Sequence, residues 1–515
     1  MNGKNINQIK LGAFLSYLQT GMNAVITLLY TPIMIRLLGR SEFGLYNTVT
    51  SVISMIALLN LGFSSTYIRF YSQYDASKDK LAVQKLNGMF LCIFSGVALI
   101  ASFCGFYLAN HLTVVFSNGL TAAEYATARK LMLILTGNLA VTLVTNTFAC
   151  IITANERFVL LKLVSLLRQV VSPLVTIPLM LAGYGSVGVV IVTAAFSCVT
   201  EIIYICYVLL VLRARFSFGK FDPEVFRAVW KFTMLVAVHL IVDQINWNVD
   251  KILLGRFKGT ASVALYTVGF SLYTHYMAIG LTMCGIFTPR VHKIINLFRN
   301  DGQHLTQELT GLFSMLGRIQ FAVLAPVAVG FIFWGKPFLD FWAGPEYTEA
   351  YYIALLLMLP GSIDIIQNIG IEIQRALDLH GFRAGIYAAM AAVNIVISVL
   401  LCQKYGAIGC AVGTAISLLL VQGLIINIYY HKKCYIKIVF FWKQILNMGK
   451  SLIPPICFGV VVNSIKSGYS ILELLLCLIA FVLIYVVSLY CLGLNGGEKQ
   501  KIKIILRKAK IIKRK

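Results

Sequence analysis

Asn87-Gly88-Met89-Phe90-Leu91-Cys92-Ile93-Phe94-Ser95-Gly96-Val97-Ala98-Leu99-Ile100-Ala101-Ser102-Phe103-Cys104-Gly105-Phe106-Tyr107-Leu108-Ala109-Asn110 is a run of 24 residues without one Asp, Glu, Lys or Arg. About 20 such residues in an α-helix cross roughly 30 Å of hydrocarbon, so this stretch alone is long enough to span a bilayer. Runs of comparable length follow one another along the chain, separated by short basic segments. Of the 515 residues 59% are hydrophobic and 12% charged, about half the roughly 25% charge of soluble domains. Several soluble domains could not be clothed with so few charges, and the sequence reads as an all-α polytopic membrane protein.

Apolar runs set against charged or Gly/Pro interruptions predict fourteen spans, near 10–38, 43–68, 87–110, 130–152, 158–182, 187–211, 231–254, 263–288, 312–334, 349–372, 384–403, 407–429, 446–464 and 470–492. With both termini on one side, 33 Lys and Arg fall in the segments of that side and ten in those of the other, leaving Arg168 inside the fifth span. Positive charge stays in the cytoplasm, so both termini are expected there. The short basic start from Met1 to Lys10 leads directly into an apolar stretch that reaches Leu38, too long for a signal peptide and read as a retained first span. The longest loops run to about twenty residues, near 69–86, 213–230 and 290–311, and the outer loops are shorter. No large catalytic domain fits there. The tail from Lys499 to Lys515 mixes Ile and Leu with Lys and Arg, and serves either as a topology anchor or as an amphipathic segment on anionic lipid.

A net charge of +24 would suggest nucleic acid in a soluble protein, but here the cations lie in loops and tails without interleaved aromatics. Membrane lipid, not nucleic acid, is the expected surface. The twelve Cys form no C-x-x-C and pair with no His at metal-ligand spacing, which makes them apolar packing residues. Gly183-x-Gly185-x-x-Gly188 matches a dinucleotide fingerprint but lies between two spans without a preceding strand. Walker A, H-E-x-x-H and G-x-S-x-G patterns are missing, so the chain reads as a non-enzyme without cofactor whose energy would come from a gradient, with proton or sodium coupling.

Two segments recur. Ile35-Arg36-Leu37-Leu38-Gly39 and Lys251-Ile252-Leu253-Leu254-Gly255 stand 216 residues apart, each followed by a small residue and Leu-Tyr, Gly44-Leu45-Tyr46 and Ala264-Leu265-Tyr266. Tyr184-Gly185-Ser186-Val187-Gly188 and Tyr405-Gly406-Ala407-Ile408-Gly409 stand 221 apart. Six spans separate the copies, an even number, so the halves share one orientation as in parallel-repeat transporters. The expected organisation is an N-terminal lobe over 1–212, a C-terminal lobe over 213–430, two further spans over 431–492 and a basic tail over 493–515.

The stretch Leu37-Leu38-Gly39-Arg40-Ser41-Glu42-Phe43-Gly44-Leu45-Tyr46, followed by Leu59-Asn60-Leu61-Gly62-Phe63 and Arg69-Phe70, resembles the opening of bacterial polysaccharide exporters of the Wzx type. These belong to the multidrug/oligosaccharidyl-lipid/polysaccharide superfamily, and the resemblance continues through Asp250-Lys251-Ile252-Leu253-Leu254-Gly255 and the Tyr-Gly-x-x-Gly turn. It implies two six-helix lobes and two extra C-terminal helices around a cavity that opens alternately to either side. It also implies a flippase that moves undecaprenyl-diphosphate-linked oligosaccharide outward across the bacterial cytoplasmic membrane for O-antigen, capsule or exopolysaccharide, with polymerase machinery as a further partner. A multidrug/cation antiporter of the same superfamily is the alternative. A membrane polysaccharide polymerase or ligase is a third, disfavoured by the short outer loops.

The signature residues are turns, so candidate sites must come from polar groups inside spans, where a charge costs roughly 2.5 to 3.5 kcal/mol on insertion scales. His239, Asp243, Asn246 and Asp250 make one stripe along the seventh span, and Ser16, Gln19, Asn23, Thr27 and Tyr30 a matching one on the first. Together they suggest a hydrated interface between lobes. Ser165, Arg168, Ser172 and Thr176 share a face of the fifth span, and Asp364, Asn368, Glu372 and Arg375 one of the tenth. Arg168 either snorkels or offers its planar fork to a diphosphate. Asn23, Thr27, Arg168 and Asn246 are the cavity candidates, with Arg36, Arg69, Arg290 and Arg318 near span ends as secondary ones. Asp243, Asp250 and Asp364 are the candidates for ion coupling, and Pro32, Pro173, Pro178, Pro289, Pro326 and Pro360 the candidate hinges.

Overall fold

A computed structural model describes residues 3–116, 120–219, 223–281, 287–466 and 468–500. Its α-helices are α1 (Gly3–Ile56), α2 (Phe63–Ala76), α3 (Lys80–Asn110), α4 (Ala122–Ala154), α5 (Phe158–Leu181), α6 (Gly185–Cys206), α7 (Pro223–Phe257), α8 (Thr260–Leu281) and α9 (Thr288–Leu297). They continue with α10 (Gly302–Trp342), α11 (Ala350–Ile366), α12 (Ile369–Ala376), α13 (His380–Leu418), α14 (Ile426–Lys433), α15 (Ile438–Gly449), α16 (Ile453–Ile465) and α17 (Ile471–Ser488). No strand occurs among the described residues. Lipid cannot bond exposed backbone, and helices satisfy their own. The chain is a multi-pass, all-helical membrane protein.

Nine helical stretches among the described residues are long and apolar enough to cross a membrane, or ten if the pair α11 and α12, bent by 43°, is one span. Two of them are too long for a single pass. Leu18–Ala76 has 59 residues and Gly381–Lys433 has 53, each about 80 to 90 Å at 1.5 Å per residue against a core of roughly 30 Å. Each contains a backbone break where the sequence separates two expected spans, at Gly39 (φ 72, ψ 171) and at Gly406 (φ 59, ψ −133). The nine stretches do not include α7 or α8. Pro32, Pro173, Pro178, Pro326 and Pro360 lie inside helices, but Pro289 begins α9, where a missing N–H costs nothing, and is no hinge.

By internal contacts the chain forms two units, Met1–Thr267 with Ile395–Cys410, and Val268–Asn394 with Ala411–Lys515. In the first, α3 packs on α4, α4 on α6, and α1 lies against α5 and α7. One core patch is aromatic, with Phe63, Tyr67, Phe90 and Phe94 fully buried. The opposite face of α3 presents Leu99 and Phe103, each 73% exposed, as expected where lipid is the solvent. In the second unit α10 is the hub, touching α11, α15, α16 and α17. Trp334 on α10 meets Phe481 edge-on at 5.4 Å and Phe458 at 6.3 Å, which fastens the two C-terminal helices to it.

The stretch Gly39 to Leu45 shows why those residue types are needed together. Gly39 takes a left-handed backbone that breaks α1. Arg40 Nε donates to Ala261 O at 3.2 Å, and the Ser41 hydroxyl lies 2.9 Å from the Thr260 hydroxyl and also bonds Glu124. Glu42 accepts from Ser186 N at 2.6 Å and Ser186 Oγ at 2.7 Å, capping the start of α6. Phe43 and Leu45 are buried. Replacing Glu42 with Ala should cost about 1 to 2 kcal/mol, the usual size of a lost helix cap. Thermal unfolding in detergent measures it, and an unchanged midpoint would remove Glu42 from this role.

The same turn corrects the repeat register. Gly39 and Gly259 are both left-handed (φ 72 and 81) and stand 220 apart, as do Gly44-Leu45-Tyr46 and Ala264-Leu265-Tyr266, while Gly185 and Gly406 (φ 53 and 59) stand 221 apart. The 216-residue match of Gly39 to Gly255 is therefore a coincidence of Leu-Gly pairs, since Gly255 is helical. At an offset of 220, Arg40 pairs in sequence with Thr260 and Ser41 with Ala261, and the contacts cross over, Arg40 to Ala261 and Ser41 to Thr260. The two turns therefore meet each other at repeat-related positions.

Candidate functional site

The polar stripe of α1 is matched by a stripe on α5. Gln19 Nε2 donates to Ser165 Oγ at 2.7 Å, Gln169 Nε2 donates to Asn23 Oδ1 at 2.7 Å, and Tyr30 lies beside Thr176. All three rungs join residues 146 apart, so α1 and α5 run parallel. Between the first two rungs opens a cavity of about 490 Å³ lined by Gln19, Thr20, Asn23, Ser165, Arg168 and Gln169. The structure thus brings together Asn23 and Arg168, two of the expected site residues. Thr27 is partly buried on the same helix one turn beyond Asn23 and does not line this cavity.

Arg168 is partly buried, and among the described residues its guanidinium donates no hydrogen bond to protein. It interacts electrostatically with Glu201 on α6 and with Tyr204. One Glu201 oxygen, Oε2, is buried without a partner, and so is Gln169 Oε1. Five donor N–H groups in a fixed fork, facing a polar cavity and opposed by a single carboxylate, suit an anionic oxygen ligand. Glu201 is a candidate that the sequence reading missed. It is the carboxylate inside the apolar span 187–211, and an ionisable group within a span was the available signal.

The remaining candidates do not join this cavity. Arg318, expected as a cavity cation, is a structural staple and is corrected here. It is 3% exposed, and its guanidinium donates to Glu498 Oε1 at 2.9 Å, Glu498 Oε2 at 2.6 Å, Gln444 O at 3.1 Å and Gly493 O at 2.8 Å. Arg69 is exposed and lies 4.4 Å from the Phe232 ring centroid. Arg36 and Arg290 are exposed, on α1 and α9. Asn246 on α7 keeps a buried Oδ1 without a partner.

Of the coupling candidates, Asp250 is 5% exposed and accepts from the Tyr266 hydroxyl at 2.7 Å, a bond that ties α7 to α8. Asp364 lies 3.5 Å from Arg383, a cation not singled out in the sequence. Arg383 also donates to Tyr430 at 3.1 Å, to Gln374 at 3.4 Å and to Tyr387, whose oxygen accepts from Gln422. Asp364 is thus one edge of a paired network and no lone intramembrane carboxylate. The side chains of His239 and Asp243, and the tail beyond residue 500, lie outside the described residues.

A sequence model of the polysaccharide biosynthesis protein family matches residues 9–288, more than half of the chain. The chain belongs to this family. Among solved structures it is similar to a lipid II flippase, MurJ, in an inward closed conformation, at 16% identity and a TM-score of 0.71 over 93% of this chain and 97% of that one. It is also similar to a multidrug resistance MATE family transporter of the MOP superfamily in an inward-facing conformation, at 14% identity and a TM-score of 0.57 over 85% and 99%. No curated protein matches it in sequence. These likenesses establish the fold.

Proposed function

We propose that this family member is a flippase that moves undecaprenyl-diphosphate-linked oligosaccharide outward across the bacterial cytoplasmic membrane by alternating access. The observation that carries the reading is the unbonded Arg168 guanidinium in a cavity of about 490 Å³ lined by Gln, Asn, Ser and Thr. A sugar diphosphate head group would lose its water in the bilayer core, and these side chains can replace those hydrogen bonds while the polyprenyl chain stays in lipid. The family's description as polysaccharide biosynthesis and the fold shared with a lipid II flippase support the same class of substrate. Both termini are cytoplasmic in this reading, and Asp243 is the carboxylate we assign to ion coupling, which Asp243→Asn would abolish without loss of folding.

The test is Arg168→Ala in cells that depend on this protein for surface polysaccharide. Charge-assisted hydrogen bonds contribute about 1.5 to 3 kcal/mol each, so transport should fall roughly 10- to 100-fold at normal protein abundance. Arg168→Lys should restore little, because an ammonium cannot offer two parallel bonds. Normal polysaccharide in Arg168→Ala cells at normal abundance would sink the assignment. A cation antiporter is the second reading, favoured by the partly buried Glu201 carboxylate that faces Arg168 electrostatically and keeps one oxygen buried without a partner. Glu201→Gln separates the two, since it should abolish cation export but leave diphosphate binding in place.

A further inference from the structure

A second polar cavity in the first unit is used by nothing above. It measures about 670 Å³, within the range of roughly 300 to 1,000 Å³ typical of small-ligand sites. Four cations line it, Lys78 and Lys80 from the α2–α3 turn and Arg213 and Arg215 from the segment after α6, against two carboxylates, Asp75 and Asp79. Asp79 is already engaged, because its side chain caps α3 by accepting from Leu81 N at 3.1 Å and Ala82 N at 2.9 Å. Among the described residues the four cationic side chains make no hydrogen bond or ion pair.

All four are exposed, as loop cations that only fix topology also are, but cations of that kind need no particular arrangement. Here two segments, 78–80 and 213–215, far apart in sequence, deliver their cations to one concavity, and the wall that does so is held in place before any ligand arrives. Ser217 N donates to Gln84 O at 3.0 Å, Asn87 Nδ2 donates to Arg215 O at 3.0 Å, and Asn87 Oδ1 accepts from the buried Tyr67 hydroxyl at 2.7 Å. A Cβ on Gly88 would lie 2.1 Å from Ser217 O, so segment 213–217 lies directly on α3. Lys78 and Arg213 both have left-handed backbone (φ 58 and 50), which turns the chain back at the cavity edge on each side.

We propose that this cavity is a phosphate-binding site, separate from the Arg168 cavity, on the side that the Lys and Arg asymmetry assigns to the cytoplasm. Its ligand is a phosphate-bearing group, either the head group of an anionic lipid or a phosphate carried on a soluble or substrate molecule. Two arginines and two lysines supply donors for phosphate oxygens, and Tyr71, whose hydroxyl donates to Asn155 at 3.1 Å, lines the same cavity.

The full chain in phosphatidylcholine nanodiscs, probed with inorganic pyrophosphate, tests this by hydrogen exchange. Pyrophosphate should slow exchange at residues 79–87 and 212–217, with an affinity that falls steeply with salt. Arg213→Gln with Arg215→Gln should weaken that protection about tenfold or more, and Lys78→Gln with Lys80→Gln provides a second, independent variant. Arg168→Gln should leave it unchanged. Nanodiscs containing phosphatidylglycerol separate the sources. Protection there without pyrophosphate assigns the site to a lipid head group, and protection only on adding pyrophosphate assigns it to a non-lipid phosphate. The proposal is overturned if neither ligand protects these segments, if both double variants bind as the parent does while keeping its thermal midpoint, or if Arg168→Gln removes the protection.

Discussion

Arg318→Ala should detach the C-terminal helices from α10. The guanidinium is 3% exposed and makes four hydrogen bonds, to both Glu498 oxygens and to two carbonyls, Gln444 O and Gly493 O. Removing one partner of a buried ion pair leaves the other charge and the carbonyls uncompensated, a loss of about 3 to 5 kcal/mol. Glu498 retains 29% side-chain exposure, so water can reach it and the lower end of that range applies. Arg318→Met, which restores the apolar stem without the charge, should recover only the packing part. Limited proteolysis reads the result, with cleavage between 434 and 470 appearing in the variant at a temperature where the parent is intact. Unaltered proteolysis in Arg318→Ala would free the residue to be a substrate contact again.

The contrast between Arg318 and Arg168 marks how far sequence can be read. Both are arginines in or beside apolar runs, and their neighbours in sequence do not distinguish them. What does is a carboxylate 180 residues away that reaches Arg318 and no equivalent that reaches Arg168 within bonding distance. Such pairings are tertiary facts. The helical class was legible because a bilayer imposes a length, and the breaks at Gly39 and Gly406 fall where short interruptions separated expected spans. The α1 stripe was legible as polar, but its partner was expected to be the seventh span. Among the described residues α1 packs against both α5 and α7, and the hydrogen bonds of Gln19 and Asn23 run to the α5 stripe, a pairing the sequence did not point to. Glu201 lay within reach of the same rule that selected Asp243, whereas Arg383 sits at a span end, where topology is the usual explanation for a cation.

Gly44→Ala should be the most damaging single-methyl change in the chain's first turn motif. A Cβ at Gly44 would lie 1.8 Å from Thr260 O and 3.2 Å from Ala264 N, both backbone atoms that no side-chain rotation can move. Because Ala264 is the repeat mate of Gly44, the clash falls where the two turns meet, beside the contacts of Arg40 with Ala261 and of Ser41 with Thr260. Separating the two segments would also loosen the Glu124 bond to Thr260 at 3.2 Å. Overpacking of a tight site costs about 1 to 3 kcal/mol, and more where backbone must shift. Gly21→Ala is the control. Nothing lies within 4 Å of a Cβ there, so the substitution should be neutral or stabilise helix α1 by up to about 1 kcal/mol. Thermal unfolding of the two variants in one detergent compares them directly. A midpoint for Gly44→Ala equal to that of Gly21→Ala would mean that the turns at 39–44 and 259–264 do not touch, and the corrected repeat register would fall with them.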